Sequence, residues 1–380
     1  MSEYRVPSKD YARQYGELLP ELLPLLERVL LEEEPILGES VERFERAFAE
    51  HTGTRHAVGI GNGTDALILS LRALGIGPGD EVVTAANTFI ATISAIVLVG
   101  ARAVLVEPDP QSMVLSAAGL EGALTPRTKA VIPVHFYGRL CPMAEIGRVA
   151  RAAGIAVVED AAQSHGARDA SGRRAGSFGA AGCFSFHPSK NLGAFGDGGI
   201  VTTDDERLAE QLRVLRNLGK IDKYDVRAIT SNSKLDTLQA ALLGLKLPRL
   251  DGWNARRRAL AARYARNLAG IPGLVLPEDP GGEAHVWHLY VVRTSRRDEL
   301  RAFLKAKGVN AGLHYPIAPH LQKLDVDLGY RPGSLPITEE LARTVLSLPI
   351  SQELTDEEID YACARIQDFF AHAQQRSAAS

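Results

Sequence analysis

Two side chains suited to covalent chemistry end neighbouring apolar runs. Asp160 closes Ile155-Ala156-Val157-Val158-Glu159-Asp160, and Lys190 follows Cys183-Phe184-Ser185-Phe186-His187-Pro188-Ser189. Short apolar runs of this kind read as buried parallel strands. In open α/β sheets, ligands sit beyond the carboxyl ends of such strands, so both groups are expected at one sheet edge. A buried carboxylate is costly unless it meets a cation. A lysine in a partly dry site can lose its proton and act as a nucleophile. Pyridoxal phosphate uses both groups, a lysine on its aldehyde carbon and an acid against its ring nitrogen. Taken singly, each residue has a plainer reading: lysines are almost always solvated, and an aspartate at a strand end is usually a turn or cap residue. The weight lies in the company they keep.

Gly59-Ile60-Gly61-Asn62-Gly63-Thr64-Asp65 joins a strand to a helix. Glycines admit close backbone approach, and a helix start offers free N–H groups to a phosphate. A simple helix cap by Thr64 or Asp65 explains the same residues. The segment is neither a Walker loop nor a dinucleotide fingerprint. Phe89, after the next strand, could stack on a flat ring, though on its own it fits a core position better. Gln163 could bond a phenolic oxygen, and the Ser185 hydroxyl could reach a phosphate. The glycine-rich turn from Gly193 to Gly199 suits either close passage by a ligand or an ordinary tight connection.

These residues need a scaffold. Strands are expected at His56–Ile60, Glu81–Ala85, Ala103–Val106, Ala130–His135, Ile155–Asp160, Gly182–Phe186 and Gly199–Thr203. Helices fall between most of them, at Thr64–Leu74, Phe89–Val99, Ala117–Leu124 and Met143–Ala153. That is the pattern of a mostly parallel sheet covered on both faces. No helix signal separates the last two strands, so one of them is expected to run antiparallel. Residues 1–15 read as a loose arm, and the leucine-rich stretch 16–34 as a helix broken at Pro20 and Pro24. Residues 219–233 form a long polar connection. Further on, His285–Arg293 and Val309–Tyr315 read as strands, Asp298–Lys307 as a helix, and Thr355 to Glu358 as a capping box.

The chain has 380 residues, more than one simple core accommodates, and a division into a large unit (1–250) and a smaller one (251–380) is expected. A net charge of −3, from 43 basic and 46 acidic residues, gives no support to a nucleic-acid partner. No apolar run approaches the roughly 18 residues of a membrane span. Three scattered cysteines and the absence of a secretory pattern at Met1–Arg5 suggest a cytoplasmic protein. The ten histidines form no convincing metal pair.

Several blocks together resemble the DegT/StrS family of pyridoxal-phosphate sugar-nucleotide aminotransferases. They are Gly-Thr-Asp-Ala-Leu (63–67), Ala-Asn-Thr-Phe-Ile-Ala-Thr (86–92), Glu-Asp-Ala-Ala-Gln-Ser-His-Gly (159–166), Phe-Ser-Phe-His-Pro-Ser-Lys-Asn-Leu-Gly (184–193), Leu-Asp-Thr-Leu-Gln-Ala-Ala (235–241) and His-Tyr-Pro (314–316). The resemblance implies an aspartate-aminotransferase fold with a seven-stranded sheet, a homodimer with shared sites, and transfer of an amino group from L-glutamate to a nucleotide-linked keto-sugar. It implies that Lys190 bonds the cofactor, Asp160 meets the ring nitrogen, Gln163 the ring hydroxyl and Phe89 the ring face. Gly63, Thr64 and Ser185 would hold the phosphate, and Asn232 would reach the partner's phosphate site. His314, Tyr315 and His320 would border the sugar. The chain departs from many relatives at His187, Leu218, Ser231 and Lys234. The turn at 190–199 resembles members that act at C-3, which points to a dTDP-linked 3-keto-6-deoxyhexose. A UDP-linked 3-keto amino sugar and a 4-keto sugar are the alternatives. Lys190 argues against a dehydratase of this family, which carries histidine there. A non-catalytic regulator and a nicotinamide dehydrogenase remain as different classes, the latter without its fingerprint.

Overall fold

The computed structural model describes residues 4–378. In chain order its elements are α1 (Tyr11–Glu32), α2 (Glu39–Thr52), β1 (His56–Ile60), α3 (Gly63–Ala73), β2 (Glu81–Ala85), α4 (Ile90–Leu98), β3 (Arg102–Val106), α5 (Ala117–Ala123), β4 (Thr128–Ile132), α6 (Met143–Ala153), β5 (Ala156–Asp160), β6 (Ala181–Ser185) and β7 (Gly199–Thr203). There follow α7 (Glu206–Arg216), α8 (Thr237–Lys246), α9 (Leu250–Leu268), β8 (Tyr290–Arg293), α10 (Arg297–Ala306), α11 (Pro336–Thr344), β9 (Val345–Leu348) and α12 (Asp356–Ala378).

Seven strands form one sheet in the order β1-β7-β6-β5-β4-β2-β3. β2, β3, β4, β5 and β6 pair in parallel, whereas β7 runs antiparallel to both β6 and β1. The antiparallel strand expected near the end of the run is therefore β7. Because it lies between β6 and β1, those two point the same way. The carboxyl ends of β1, β2, β4, β5 and β6 consequently share one edge of the sheet. The strands are apolar on both faces, as strands covered by helices on both sides must be. Val82, Val83, Val131, Ile132 and Val158 are inaccessible to solvent.

A second core gathers β8, β9, α9, α10 and α12, with Tyr264, Tyr290, Leu300, Leu304, Ile359 and Ile366 inside it. Val6 belongs to this core too: its amide donates to Gly308 O, and its carbonyl accepts from Asn310 N. From Tyr4 onward the amino-terminal segment is thus tied down, not a loose arm, and helix begins at Tyr11; residues 1–3 lie outside the described residues. The capping box forms as expected, with Thr355 N donating to Glu358 Oε2 at 2.8 Å and Glu358 N to Thr355 Oγ1 at 3.2 Å.

Three other expectations are corrected. α1 runs unbroken through Pro20 and Pro24. Both prolines lie on its exposed face, where water can satisfy the carbonyls that lose their amide partners, while Leu18, Leu22 and Val29 bury the opposite side. The strand expected from His285 starts only at Tyr290, because Trp287 has a positive φ of 48° and stacks on His285 at 3.8 Å. Val309–Tyr315 makes isolated bridges, from Val309 to Val6 and from Gly312 to Ser347, in place of a continuous strand.

Gly182, in the middle of β6, shows how tightly the sheet is built next to the site. A Cβ there would stand 2.3 Å from Gly176 Cα and 2.5 Å from Thr202 Oγ1. Gly182→Ala should therefore cost about 1–3 kcal/mol or more, as overpacked cores do. Urea unfolding monitored by circular dichroism measures it; a midpoint equal to wild type would contradict this packing.

Candidate active site

The shared sheet edge is hollow. A cleft of about 660 Å³ is lined by Gly63, Thr64, Phe89, Asp160, Gln163, Ser185, Lys190, His314 and Tyr315, among others. Nine of the eleven residues singled out from the sequence therefore meet in one place.

Asp160 ends β5 and is nearly buried. Among the described residues it takes part in no ion pair. Its charge is met by hydrogen bonds: Thr92 Oγ1 donates to Oδ2 at 2.8 Å and the Ala162 amide to Oδ1 at 3.2 Å. Thr92 is fully buried in α4 and is itself bonded to Thr88 Oγ1 at 2.8 Å. Its neighbour Glu159 is also inaccessible and accepts from the amides of Gly176, Phe178 and Gly179 at 2.6–2.8 Å, with His135 Nε2 at 2.9 Å. Glu159 thus ties down the loop between β5 and β6.

Lys190 sits in the turn after β6, its amide donating to His187 O at 2.8 Å. Burial lowers its pKa to about 8, against the pull of the Asp160 carboxylate, which raises it. The ring of His314 is kept neutral, with a pKa lowered to about 4 by burial and by Lys190. Its Nδ1 is hydrogen-bonded to Ser347 Oγ at 2.8 Å. Tyr315 retains its phenolic proton, its pKa raised to about 12 by burial and by Asp160.

At the other end of the cleft, α3 begins at Gly63. The cap is Asn62, not Thr64 or Asp65: Asn62 Oδ1 accepts from Asp65 N at 2.8 Å. The amides of Gly63 and Thr64 are left for an anion, since the first turn of a helix has no acceptors of its own. Gly63 has to be glycine because a Cβ would come within 2.5 Å of Ser185 Cβ. Phe89 is 46% exposed, so it is no core residue; its ring lies 5.4 Å from that of Tyr315. Gln163 accepts from Tyr137 N at 2.7 Å through Oε1, which leaves its Nε2 free to donate.

Two candidates lie elsewhere. His320 is buried away from the cleft, because the short turn Pro319–Leu321 directs it to Glu339 Oε1 on α11, 3.2 Å from Nε2. Asn232 is exposed and does not line the cleft of its own chain; its main chain bridges to Asn217. Ser233 does reach the site's edge, accepting from Gly61 N at 3.1 Å and donating to Asp65 Oδ2 at 2.6 Å. The sequence offered no sign of Thr92 or Ser233 beyond residue type. Thr92 lies one helical turn after Thr88, a spacing that a buried pair of hydroxyls would share.

The donor set suits pyridoxal phosphate. The cleft offers an amine of lowered pKa, a held carboxylate, a free amide donor, an aromatic face and a helix start for a phosphate. Comparisons with known proteins agree. The model of the DegT/DnrJ/EryC1/StrS aminotransferase family matches residues 19–367.

The chain belongs to that family.

It is 48% identical to a dTDP-3-amino-3,4,6-trideoxy-alpha-D-glucose transaminase of Streptomyces venezuelae, over 92% of each chain. It is 43% identical to a pleiotropic regulatory protein of Geobacillus stearothermophilus, over 97% of this chain and 99% of that one. Among solved structures it resembles S. venezuelae DesV in complex with a ketimine intermediate, with a TM-score of 0.94 and 46% identity over 97% of this chain and 99% of that one. The protein is accordingly a pyridoxal-phosphate-dependent sugar aminotransferase of aspartate-aminotransferase fold. No helix among the described residues is long and apolar enough to cross a membrane.

The lowered pKa of Lys190 can be tested directly. In protein stripped of cofactor, covalent modification of Lys190 by an amine-selective reagent should rise with pH through a midpoint near 8. Asp160→Asn removes the charge that raises this pKa, so the midpoint should move down. Peptide mass spectrometry across a pH series reads both; an upward shift in the variant would disprove the coupling.

Proposed function

We propose that this enzyme moves an amino group from L-glutamate to C-3 of a dTDP-linked 3-keto-6-deoxyhexose. The observation that carries the reading is the cleft itself, where Lys190 and Asp160 stand at one sheet edge with the start of α3 and the Phe89 ring. The dTDP-3-amino sugar transaminase at 48% identity supports the choice of sugar.

Pyridoxal phosphate, when bound, supplies a carbonyl carbon that takes up the amine and a ring that accepts the electrons left by a departing α-proton. The rest falls to the chain. Lys190 would anchor the cofactor through its Nζ. With a pKa lowered from the ordinary lysine range to about 8, about a tenth of its freed amine is unprotonated at pH 7 and half at pH 8, and that fraction can accept the donor's Cα proton. In the second half of the cycle the same Nζ delivers a proton to C-3 of the sugar. Asp160, held by Thr92 and Ala162, keeps a proton on the ring nitrogen, because an opposite charge favours the charged form. Gln163 Nε2 would donate to the ring oxygen, and Phe89 would cover the ring face. Gly63, Thr64 and Ser185 would hold the phosphate. His314 and Tyr315 border the space left for the sugar; neutral and protonated respectively, they bring no charge to it.

We take the working unit to be a homodimer, in which Asn232 enters the partner's phosphate site. The exposure of Ile221, Tyr224, Val226 and Ile229 on the preceding stretch supports this, since large apolar side chains crowd onto surfaces that are covered in use. We place the enzyme in the cytoplasm, in keeping with its free cysteines Cys141, Cys183 and Cys363. The similarity to a pleiotropic regulatory protein motivates a second reading, a regulator that binds the cofactor without turnover. The presence of both Lys190 and Asp160 in the cleft weighs against it.

The purified protein should be yellow, and its absorbance band should shift when L-glutamate is added. Offered a panel of dTDP- and UDP-linked keto-sugars, it should convert the dTDP-3-keto-6-deoxyhexose fastest, as read by mass spectrometry. Lys190→Ala should lose the covalent link and slow turnover by on the order of 10²–10⁴-fold or more. A cofactor-loaded protein that aminates none of the panel would favour the regulator.

A further inference from the structure

The turn that carries Lys190 is gripped from outside the sheet. On one side, Lys9 Nζ donates to Ser189 O, the carbonyl of the residue just before Lys190. On the other, Lys246 Nζ donates to Gly193 O at 2.6 Å and to Gln14 Oε1 at 3.3 Å. The amino-terminal segment therefore takes part in both holds. Its own anchorage is in the second core. Val6 pairs with residues 308 and 310, Arg13 makes two bonds of 2.9 Å to Glu358, and Gln14 Nε2 donates to Glu353 Oε1 at 2.6 Å. A strap thus runs from the carboxyl-terminal core to the peptide of the reactive lysine.

Lys9 is poorly explained as a solvated surface cation. It is only partly accessible, and burial, then the charge of Arg257, push its pKa well down. A desolvated amine needs a hydrogen-bond acceptor, and Ser189 O provides one. The peptide between Ser189 and Lys190 is held on its amide side by His187 O, so without Lys9 only that one bond would set its plane and the carbonyl side could tilt. The Lys190 side chain leaves the backbone one residue later, so its direction would follow. Positioning of this kind matters greatly for rate, because misplacement of a reacting group by about 1 Å can cost 10²-fold.

We propose that Lys9 is a positioning residue for Lys190: by fixing the Ser189 carbonyl, it makes the amino-terminal strap part of what aims the reactive amine. The inference rests on Lys190 being the residue that bonds the cofactor. The strap and the site are then one thermodynamic unit, and coupling of this kind is reciprocal. Whatever fixes Lys190 should tighten the strap, just as the strap fixes Lys190.

The test uses cofactor-loaded protein and the Lys9→Met and Lys9→Arg variants. The half-reaction with L-glutamate, followed by the fading of the absorbance band, should slow on the order of tenfold in Lys9→Met, with the half-saturating glutamate concentration nearly unchanged. Lys9→Arg, which keeps a donor at this position, should recover most of the rate. Hydrogen exchange gives a readout independent of turnover. In wild type, loading with pyridoxal phosphate should slow exchange at the Val6 and Asn310 amides severalfold; in Lys9→Met that response should vanish. Circular dichroism and the thermal midpoint of Lys9→Met identify a variant that simply fails to fold, and the Lys9→Arg rescue and the wild-type exchange response then decide. A Lys9→Met protein with wild-type half-reaction rate and an intact exchange response would overturn the proposal. A wild-type protein that takes up no pyridoxal phosphate would instead overturn the function on which it rests.

Discussion

The fold converges on a carboxylate set in a nearly dry place and held there by hydrogen bonds. Asp160 is 6% exposed. A charge so placed is costly unless its lone pairs are filled. The protein fills them from two directions, with the Thr92 hydroxyl from α4 and the Ala162 amide from the chain just beyond β5. Lys190 is held apart from it: the two share the cleft but make no ion pair. That separation leaves room for a flat ring between an acid and an amine. A direct salt bridge would close the gap and hold the lysine protonated, which would spoil it as a base.

The sheet makes this arrangement possible. Parallel strands stack their carboxyl ends on one edge, so Gly63 after β1, Phe89 after β2, Asp160 on β5 and Ser185 on β6 line one cleft although they are distant in sequence. The one antiparallel strand does not spoil this, because β7 lies between β6 and β1 and reverses direction twice over. Glu159 supports the same edge from below. It points to the opposite face from Asp160, as successive strand residues do, and gathers three amides of the 176–179 loop. Two adjacent carboxylates therefore do different jobs, one facing the cleft and one pinning the loop that leads into β6.

Much of this was legible in the sequence, for a physical reason. Strand positions follow from apolar runs, and seven of them were placed within a few residues of their observed bounds. The pieces that touch the cofactor space sit directly after those strands, so locating the strands located Asp160, Ser185 and Lys190. What escaped were features set by distant packing. The prolines of α1 read as breaks because their tolerance depends on which face meets solvent. The turn at Pro319–Leu321 sends His320 toward α11, although its neighbours in sequence line the cleft. Thr92 looks like any helical threonine until the strand beside it is known to end in a buried acid. Phe89 was ambiguous alone, since only the three-dimensional edge decides whether a ring after a strand packs inward or faces a ligand.

The amino-terminal segment is the clearest case of information that local pattern cannot hold. Its sequence is polar and proline-bearing, which by itself indicates little order. Its order comes from partners more than 300 residues away, Val309 and Glu358, and from the turn at Ser189. A loop such as the Lys190 turn cannot be stiffened by sheet bonds alone. Ala194 N donates to Phe186 O and Lys190 N to His187 O, and side chains from outside the turn hold the rest. Asn191 does part of this, through Asn254 Oδ1 and Val286 O at 2.9 and 3.0 Å, and His288 in turn bonds Asn191 Oδ1 at 3.1 Å. Lys246 and Lys9 add contacts to the carbonyls of Gly193 and Ser189. A lysine that must leave and regain a covalent partner in each cycle needs a side chain free to swing on a backbone that does not. The side chain has its freedom in the cleft, and the backbone takes its rigidity from contacts with both cores.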